Sequence, residues 1–549
     1  MTDRPTLGIG RGWLLAVLLA ALVVWFGNLD LRRLVKSDEG RYAEIAREMV
    51  VTGDWVTPRL NGIKYFYKPP LQYWATAAAY RLFGVDEWTA RLWNALTGLM
   101  AVLITAFVGA RLYGAPAGWA AGAVLASSPM LIGMAHVLTL DMGLACFMTL
   151  ALGGFLLAQR DGATPGENRI GMLAAWAGMA LAVLSKGLIG VMLPGAVLVL
   201  YSLWQRDARL WTRLHLVPGL ALFGLLTAPW FIAVSRANPE FPRYFFIHEH
   251  FERFLTTTHG REGPWWEFGP ILLVGLLPWT LLLIPALARG WRALPAQRFQ
   301  PQRLLWLWTV FIFAFFSASS SKLPSYILPI FPALALLIGP ELVRLSPRTL
   351  RALLLPTLLL LLAVALAGPE LMARRAAADP LLLDYLPWAR AALLIVVAGG
   401  IGALLLDARG RRLPALLAAA FGALLGFQVA LTGHNVFAPS MSAWALAQQI
   451  KPYLTPDVPF YSLRTYDQTL NFYIGRTVTL VDYGDELTFG LKQQPELAVA
   501  SLEEFARRWQ AHPQALAIAG PETVAAVRTL GVPLEVVADD GKRIVFRKP

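Results

Sequence analysis

From residue 12 to residue 432 the chain alternates long apolar stretches with polar links. The apolar stretches cover residues 12–28, 91–110, 115–132, 141–158, 170–185, 187–204, 216–235, 269–288, 304–318, 325–340, 352–367, 388–406 and 413–432. An α-helix needs about 20 mostly apolar residues to cross a hydrocarbon core, so this pattern predicts a polytopic α-helical membrane protein with about 13 transmembrane helices. A membrane β-barrel would show short alternating segments instead. The first stretch is long and no small-x-small site ends it, which reads as an uncleaved anchor and not a signal peptide. From residue 433 the pattern changes. PFYSL, FYIGRTVTLVDY, ALAIAG and LEVVADDGKRIVFRK are strand-like, helical stretches such as 502–510 lie between them, and Asp540-Gly541 reads as a hairpin turn. The expected organisation is a membrane domain over 1–432, with long outer loops at 29–90 and 236–268, and a small α/β domain over 433–549.

Composition agrees with this pattern. Hydrophobic residues make up 56% of the 549 positions and charged residues 15%, against about 25% charged in soluble domains. The net charge of +13 would suggest nucleic acid if its position were ignored. Of the 48 basic residues, however, 39 are Arg, and sixteen of these gather in short links: Arg111; Arg160 and Arg169; Arg206, Arg209 and Arg213; Arg289, Arg292, Arg298 and Arg303; Arg344, Arg348 and Arg351; Arg409, Arg411 and Arg412. That is a topology signal marking cytoplasmic loops, and no nucleic-acid partner is expected. The N-terminus joins this side, and an odd number of spans puts the C-terminus outside. Lys36, Lys64, Lys68, Lys186 and Lys322 fall on the opposite, outer face. The single Cys146 lies in an apolar run, so neither an internal disulfide nor a Cys-based metal site is available.

The first outer loop is the most informative stretch. In SDEGRYAEIAREMVVTGDW (37–55), Ser37 suits an N-cap, Asp38 and Glu39 the first turn, and Tyr42, Ile45, Ala46 and Met49 share one face. The segment predicts a short amphipathic helix lying along the membrane surface. A second helix is expected to start at Pro69-Pro70. Between the two runs NGIKYFYKPP (61–70), aromatic and basic.

DEGRYAEIAREM followed by YFYKPPLQYW resembles the first periplasmic loop of the bacterial lipid A aminoarabinose transferases, within the polyprenyl-phosphate-sugar glycosyltransferases that include the protein O-mannosyltransferases. The likeness covers about residues 1–340 and carries no motif in the tail. It implies a glycosyltransferase C membrane fold in the bacterial inner membrane, with the active site and the C-terminal domain periplasmic. It also implies a sugar donor on undecaprenyl phosphate and a lipid A acceptor.

The resemblance gives the candidate residues their roles. The leaving phosphate gains charge, so fixed cations should surround it. The candidates are Lys68 in YKPP, Arg253 in HEHFERF, and Lys322 or Tyr326 in SSSKLPSY. Asp38 matches the family's first acid and is expected to orient substrate or bind the donor amine, with Glu39 and Arg41 placing it. Asp141 in MAHVLTLDMG is a second family-like acid. Arg41, Tyr42, Tyr65, Tyr67 and His248 are candidate substrate contacts. His248 and Glu252 are four apart, so His248, His250 and Glu252 are also a possible divalent-metal set, although the chemistry requires no cofactor.

The expected activity is transfer of 4-amino-4-deoxy-L-arabinose, or a close amino sugar, to a lipid A phosphate, with inversion. The family consequence would be resistance to polymyxin-type peptides. One alternative keeps the donor and uses a protein Ser/Thr or another glycan as acceptor. A lipid flippase or transporter is the other, disfavoured because the notable charges sit at span ends and no repeat is visible.

Overall fold

A computed structural model of the protein describes residues 11–252, 263–294, 297–376 and 379–549. The chain divides into two compact units. One comprises Met1–Leu29, Trp93–Ser235 and Pro242–Gly433; the other comprises Asp30–Leu92, Arg236–Phe241 and His434–Pro549. Cα packing thus groups the first outer loop with the tail, whereas the sequence pattern had assigned it to the membrane domain.

The first unit is helical, and the thirteen apolar runs all fall in its helical segments. Among the described residues nine helices are long and apolar enough to cross a membrane, from Glu87–Tyr113 to Arg412–Met441. Two further runs are bent pairs. Ala115–Ala126 meets Pro129–His136 at 61°, and Phe268–Gly275 meets Thr280–Gly290 at 111°. Both breaks fall at a proline, Pro129 and Pro278, which cannot supply the backbone N–H that would continue the ladder. Gly12–Phe26 and Ile189–Gln205 are apolar but shorter. Among the described residues, nine helices meet the length and hydropathy of a span, or eleven with each bent pair taken as one, and the two shorter helices occupy the other two predicted runs. The chain is a multi-pass membrane protein.

Apolar tails give neighbouring helices no hydrophobic drive to associate, so close packing carries the interface. Asp141–Gln159 and Pro165–Lys186 approach so closely that a Cβ on Gly171 would lie 2.8 Å from the Gly154 carbonyl oxygen. Pro165–Lys186 opens with a capping box: Thr164 Oγ1 accepts from the Glu167 N–H, and Glu167 accepts from the Thr164 N–H.

The second unit is mixed α/β. Strands β1 (Arg59–Leu60) and β2 (Ile63–Lys64) form a hairpin. Its two turn residues, Asn61 and Gly62, both have positive φ, at 58° and 75°, as a tight Asn-Gly hairpin demands. The tail supplies β3 (Phe460–Leu463), β4 (Thr479–Val481), β5 (Ala498–Val499), β6 (Leu516–Ala519), β7 (Glu535–Asp539) and β8 (Ile544–Arg547), in the order β5-β4-β3-β6-β8-β7. The β5, β4, β3 and β6 strands are parallel; β8 runs antiparallel to both β6 and β7. Every residue of β3 and β6 is buried, the apolar signature of central strands covered on both faces. Tyr461, Leu463, Phe505, Trp509 and Phe546 build the core. Asp540-Gly541 lies in the β7–β8 connection, with Gly541 at φ 81°.

Candidate functional site

The helix Asp38–Thr52 forms with Asp38 and Glu39 in the first turn as predicted, but Ser37 before it has helical dihedrals and its side chain makes no capping hydrogen bond; Gly53 ends the helix at φ 72°. Its surroundings differ from the expectation. Every residue from Tyr42 to Met49 is buried, including the polar face Glu44, Arg47 and Glu48. Helix Leu71–Phe83, the β1 strand and the tail helix Leu470–Ile474 pack against it. The amphipathic pattern implied a wet polar face. The structure buries that face, pairing Glu44 with Arg47 and setting Glu48 on the Gly62 N–H.

The first turn sets the candidate chemistry. Glu39 turns inward. Its carboxylate takes a two-pronged bond from Arg91, Nε to Oε1 at 2.8 Å and Nη2 to Oε2 at 2.9 Å, with both side chains almost wholly buried. Asp38 keeps 35% of its side chain exposed. Arg41 bridges two acids: Nη1 donates to Asp38 Oδ1 at 2.7 Å, and Nη2 lies 2.7 Å from Glu486 Oε2. Burial opposes the Arg41 charge, but Tyr65, Glu486, Tyr42 and Asp38 around it more than offset that and hold the guanidinium above its ordinary range. Glu486 in turn accepts from Gln468 Nε2 at 2.6 Å, and its backbone carbonyl accepts from the Tyr67 hydroxyl at 2.9 Å. Tyr65 stacks on Tyr67 with centroids 4.6 Å apart, and burial pushes its phenol well above the usual value. Tyr42 packs against Tyr73 at 5.9 Å. Lys68 is half-buried just before helix Leu71–Phe83. Nearby in sequence, Lys64 Nζ donates to Glu240 Oε1 at 2.7 Å.

Farther along the same helix, Arg47 grips the fully buried Glu44 with Nε and Nη2, both at 2.7 Å. Glu48 accepts from the Gly62 N–H at 2.8 Å. Burial, reinforced by the Glu44 charge, pushes the Glu48 carboxyl up to about 8.

In the membrane unit, Asp141 is the first residue of Asp141–Gln159 and pairs with Lys186, the last residue of Pro165–Lys186. A carboxylate at a helix N-terminus and an ammonium at a C-terminus both suit the helix dipoles. Lys186 Nζ also lies 4.9 Å from the centre of the Tyr326 ring. Two predicted residues, Asp141 and Tyr326, are thus joined by a lysine that the sequence marked only as outer. Lys322 donates to the Phe316, Ser317 and Ser319 carbonyl oxygens at 3.0, 2.7 and 2.6 Å. It caps the end of helix Pro301–Ala318. His248 stacks on Tyr244 at 5.1 Å. Arg253 and the side chains of His250 and Glu252 lie outside the described residues. Among the described residues the carboxylates of Asp30, Asp86 and Glu87 come within 4.8 Å of one another, but Glu87 already accepts from Arg33 at 2.9 Å.

Glu486 and Gln468 were not foreseen. They lie in a tail without a motif, and the acid-rich DYGDE at 482–486 is a faint local signal. Arg91, at the start of the apolar run 91–110, was not singled out either. The Asn-Gly of RLNGIK was a readable hairpin signal that the sequence pattern left unused.

Residues 446–548 match the model of the aminoarabinose transferase C-terminal domain, and residues 13–245 match that of dolichyl-phosphate-mannose-protein mannosyltransferase. An undecaprenyl phosphate-alpha-4-amino-4-deoxy-L-arabinose arabinosyl transferase of Pseudomonas fluorescens is 34% identical over 337 residues, 60% of this chain. The matched segment spans 56% of that relative's length. The crystal structure of ArnT from Cupriavidus metallidurans bound to undecaprenyl phosphate superposes with a TM-score of 0.93 at 41% identity, covering 98% of both chains. The archaeal oligosaccharyltransferase AglB from Archaeoglobus fulgidus, 13% identical with a TM-score of 0.53 over 92% of this chain and 69% of its own, shares the fold. The chain belongs to the aminoarabinose transferase family of glycosyltransferases and has its glycosyltransferase C fold.

Proposed function

We propose that this protein transfers 4-amino-4-deoxy-L-arabinose from undecaprenyl phosphate to a lipid A phosphate on the periplasmic face of the bacterial inner membrane. The observation that carries this reading is the likeness, over 98% of both chains, to ArnT bound to undecaprenyl phosphate. An acceptor phosphate oxygen attacks the anomeric carbon. The bond from that carbon to the carrier phosphate breaks, and undecaprenyl phosphate leaves with the electron pair, so the configuration inverts. A lipid A phosphate is already anionic near neutral pH, so the attack needs little help from a base. The chain's task is to position both lipids and to stabilise the charge on the leaving phosphate. Lys68 supplies a fixed cation there, while Asp38, held by Arg41, orients the sugar through its amine. The product carries less net negative charge, which weakens its attraction for cationic peptides.

The test is a transfer assay with the purified protein in liposomes, a labelled lipid-linked aminoarabinose and lipid A, read by mass spectrometry. Asp38→Ala and Lys68→Ala should each lose at least about a hundredfold in transfer while inserting normally. Wild-type transfer by both variants would contradict the site. Unmodified lipid A alongside altered glycoproteins would point to a protein acceptor, and sugar-lipid movement without transfer to a flippase.

A further inference from the structure

Open α/β sheets bind ligands beyond the carboxyl ends of their parallel strands, where the connecting loops are free of the ladder. In this chain the loops at that edge of the tail sheet are 464–469, after β3, and 482–487, after β4. They contribute Gln468 and Glu486, and what they hold is the start of helix Asp38–Thr52, within the same compact unit. Two independent observations show the fit. Arg41 is shared between Asp38 and Glu486 at 2.7 Å each, with Glu486 steadied by Gln468 at 2.6 Å. Gly40, between Glu39 and Arg41, faces the same loop so closely that a Cβ there would lie 2.6 Å from the Gln468 backbone carbonyl. Only a residue without a side chain lets the loop reach Arg41.

From this geometry we infer that Glu486 is a positioning residue for transfer: the tail domain fixes the Arg41 fork, and Arg41 fixes Asp38 at the sugar. Without Glu486 the guanidinium has one carboxylate fewer to set its plane, and Asp38, which is partly exposed, loses its fixed orientation. Misplacement of a substrate-orienting group lowers turnover more than affinity. The inference rests on the reading of Asp38 given above and adds that the C-terminal domain is part of the active unit.

The experiment uses the full-length protein in liposomes with the lipid-linked aminoarabinose donor and lipid A. Glu486→Gln should lower kcat about tenfold while leaving the donor KM within about twofold. Glu486→Asp, which keeps the charge, should recover most of the loss. Because Glu486 acts through Arg41, the Arg41→Gln/Glu486→Gln double variant should be no slower than Arg41→Gln alone. Should Glu486→Gln fail to fold, Gln468→Ala takes its place, with a loss of about threefold in kcat. A wild-type kcat in Glu486→Gln, or losses that multiply with those of Arg41→Gln, would overturn the inference. So would equal losses in the Gln and Asp variants accompanied by a matching fall in thermal stability. The functional reading fails separately: transfer retained in Asp38→Ala sinks that reading, whereas an inactive Asp38→Ala beside a wild-type Glu486→Gln sinks only the role of Glu486.

Discussion

The membrane unit and the α/β unit handle buried charge differently. In the membrane unit, charged side chains stand at helix ends. Asp141 opens one helix, Lys186 closes the next, Asp407 and Arg412 meet across the link between two more, and Lys322 turns back onto the carbonyls of its own preceding helix. In the α/β unit, charge is buried in the middle of a helix. Glu44, Arg47 and Glu48 lie on consecutive turns of Asp38–Thr52, and Arg41 is held from the tail. A helix among lipids has no water to share the cost of a mid-span charge, so charge goes to the ends, where dipoles and headgroups help. A helix covered by protein can carry charge along its length, provided the fold delivers each partner. The first arrangement can largely be read from local sequence, but the second depends on long-range packing.

This contrast can be broken most readily at Arg47. Arg47→Ala leaves the Glu44 carboxylate buried without its two-pronged partner, and removing one member of such a pair costs about 3–5 kcal/mol. The unfolding midpoint of the purified protein should fall accordingly; an unchanged midpoint would mean that mid-network charge is as dispensable as charge at helix ends. Lys322→Met sharpens the other side. It frees three carbonyls at a helix end, where hydration and a tightened last turn compensate in part, so the loss should be only about 1–2 kcal/mol. A loss as large as that at Arg47 would erase the distinction.

A third effect is a pH dependence. The Glu48 carboxyl is raised from 4.5 to about 8 by burial and by Glu44. The stability that its neutral form contributes is complete below 4.5 and is lost as pH rises through about 8. Glu48→Gln mimics the neutral form. It should be more stable than the wild type at pH 8, by a margin that fades as the pH is lowered towards 4.5. A gain that grows on acidification would contradict the sign.

Much of the fold was legible. The apolar runs became helices because run length and backbone hydrogen bonding are local properties. The tail read as α/β because β-branched and aromatic runs bounded by Gly, Asp and Pro leave few alternatives. The two bent pairs were hidden by averaging hydropathy across Pro129 and Pro278. Of the candidate site, Asp38, Arg41, Tyr65 and Tyr67 come together in the α/β unit, and Asp141 meets Tyr326 through Lys186 in the membrane unit. Lys322 was legible as a basic residue beside a span. Its ammonium sits on carbonyl oxygens, a placement that depends on how the chain turns after Ala318 and not on residue type.

The amino-acid sequence alone determined that this chain is a multi-span membrane protein with an acidic and basic motif after its first span and a small α/β tail. Spacing, hydropathy and turn chemistry act between near neighbours, and they leave their mark in any short window. Only the tertiary structure decided that the motif helix would be buried on its polar face, that Glu39 would face Arg91, and that the tail would supply Glu486 to Arg41. Those choices depend on which charges lose their water together, and desolvation is a property of three-dimensional packing that no local pattern records.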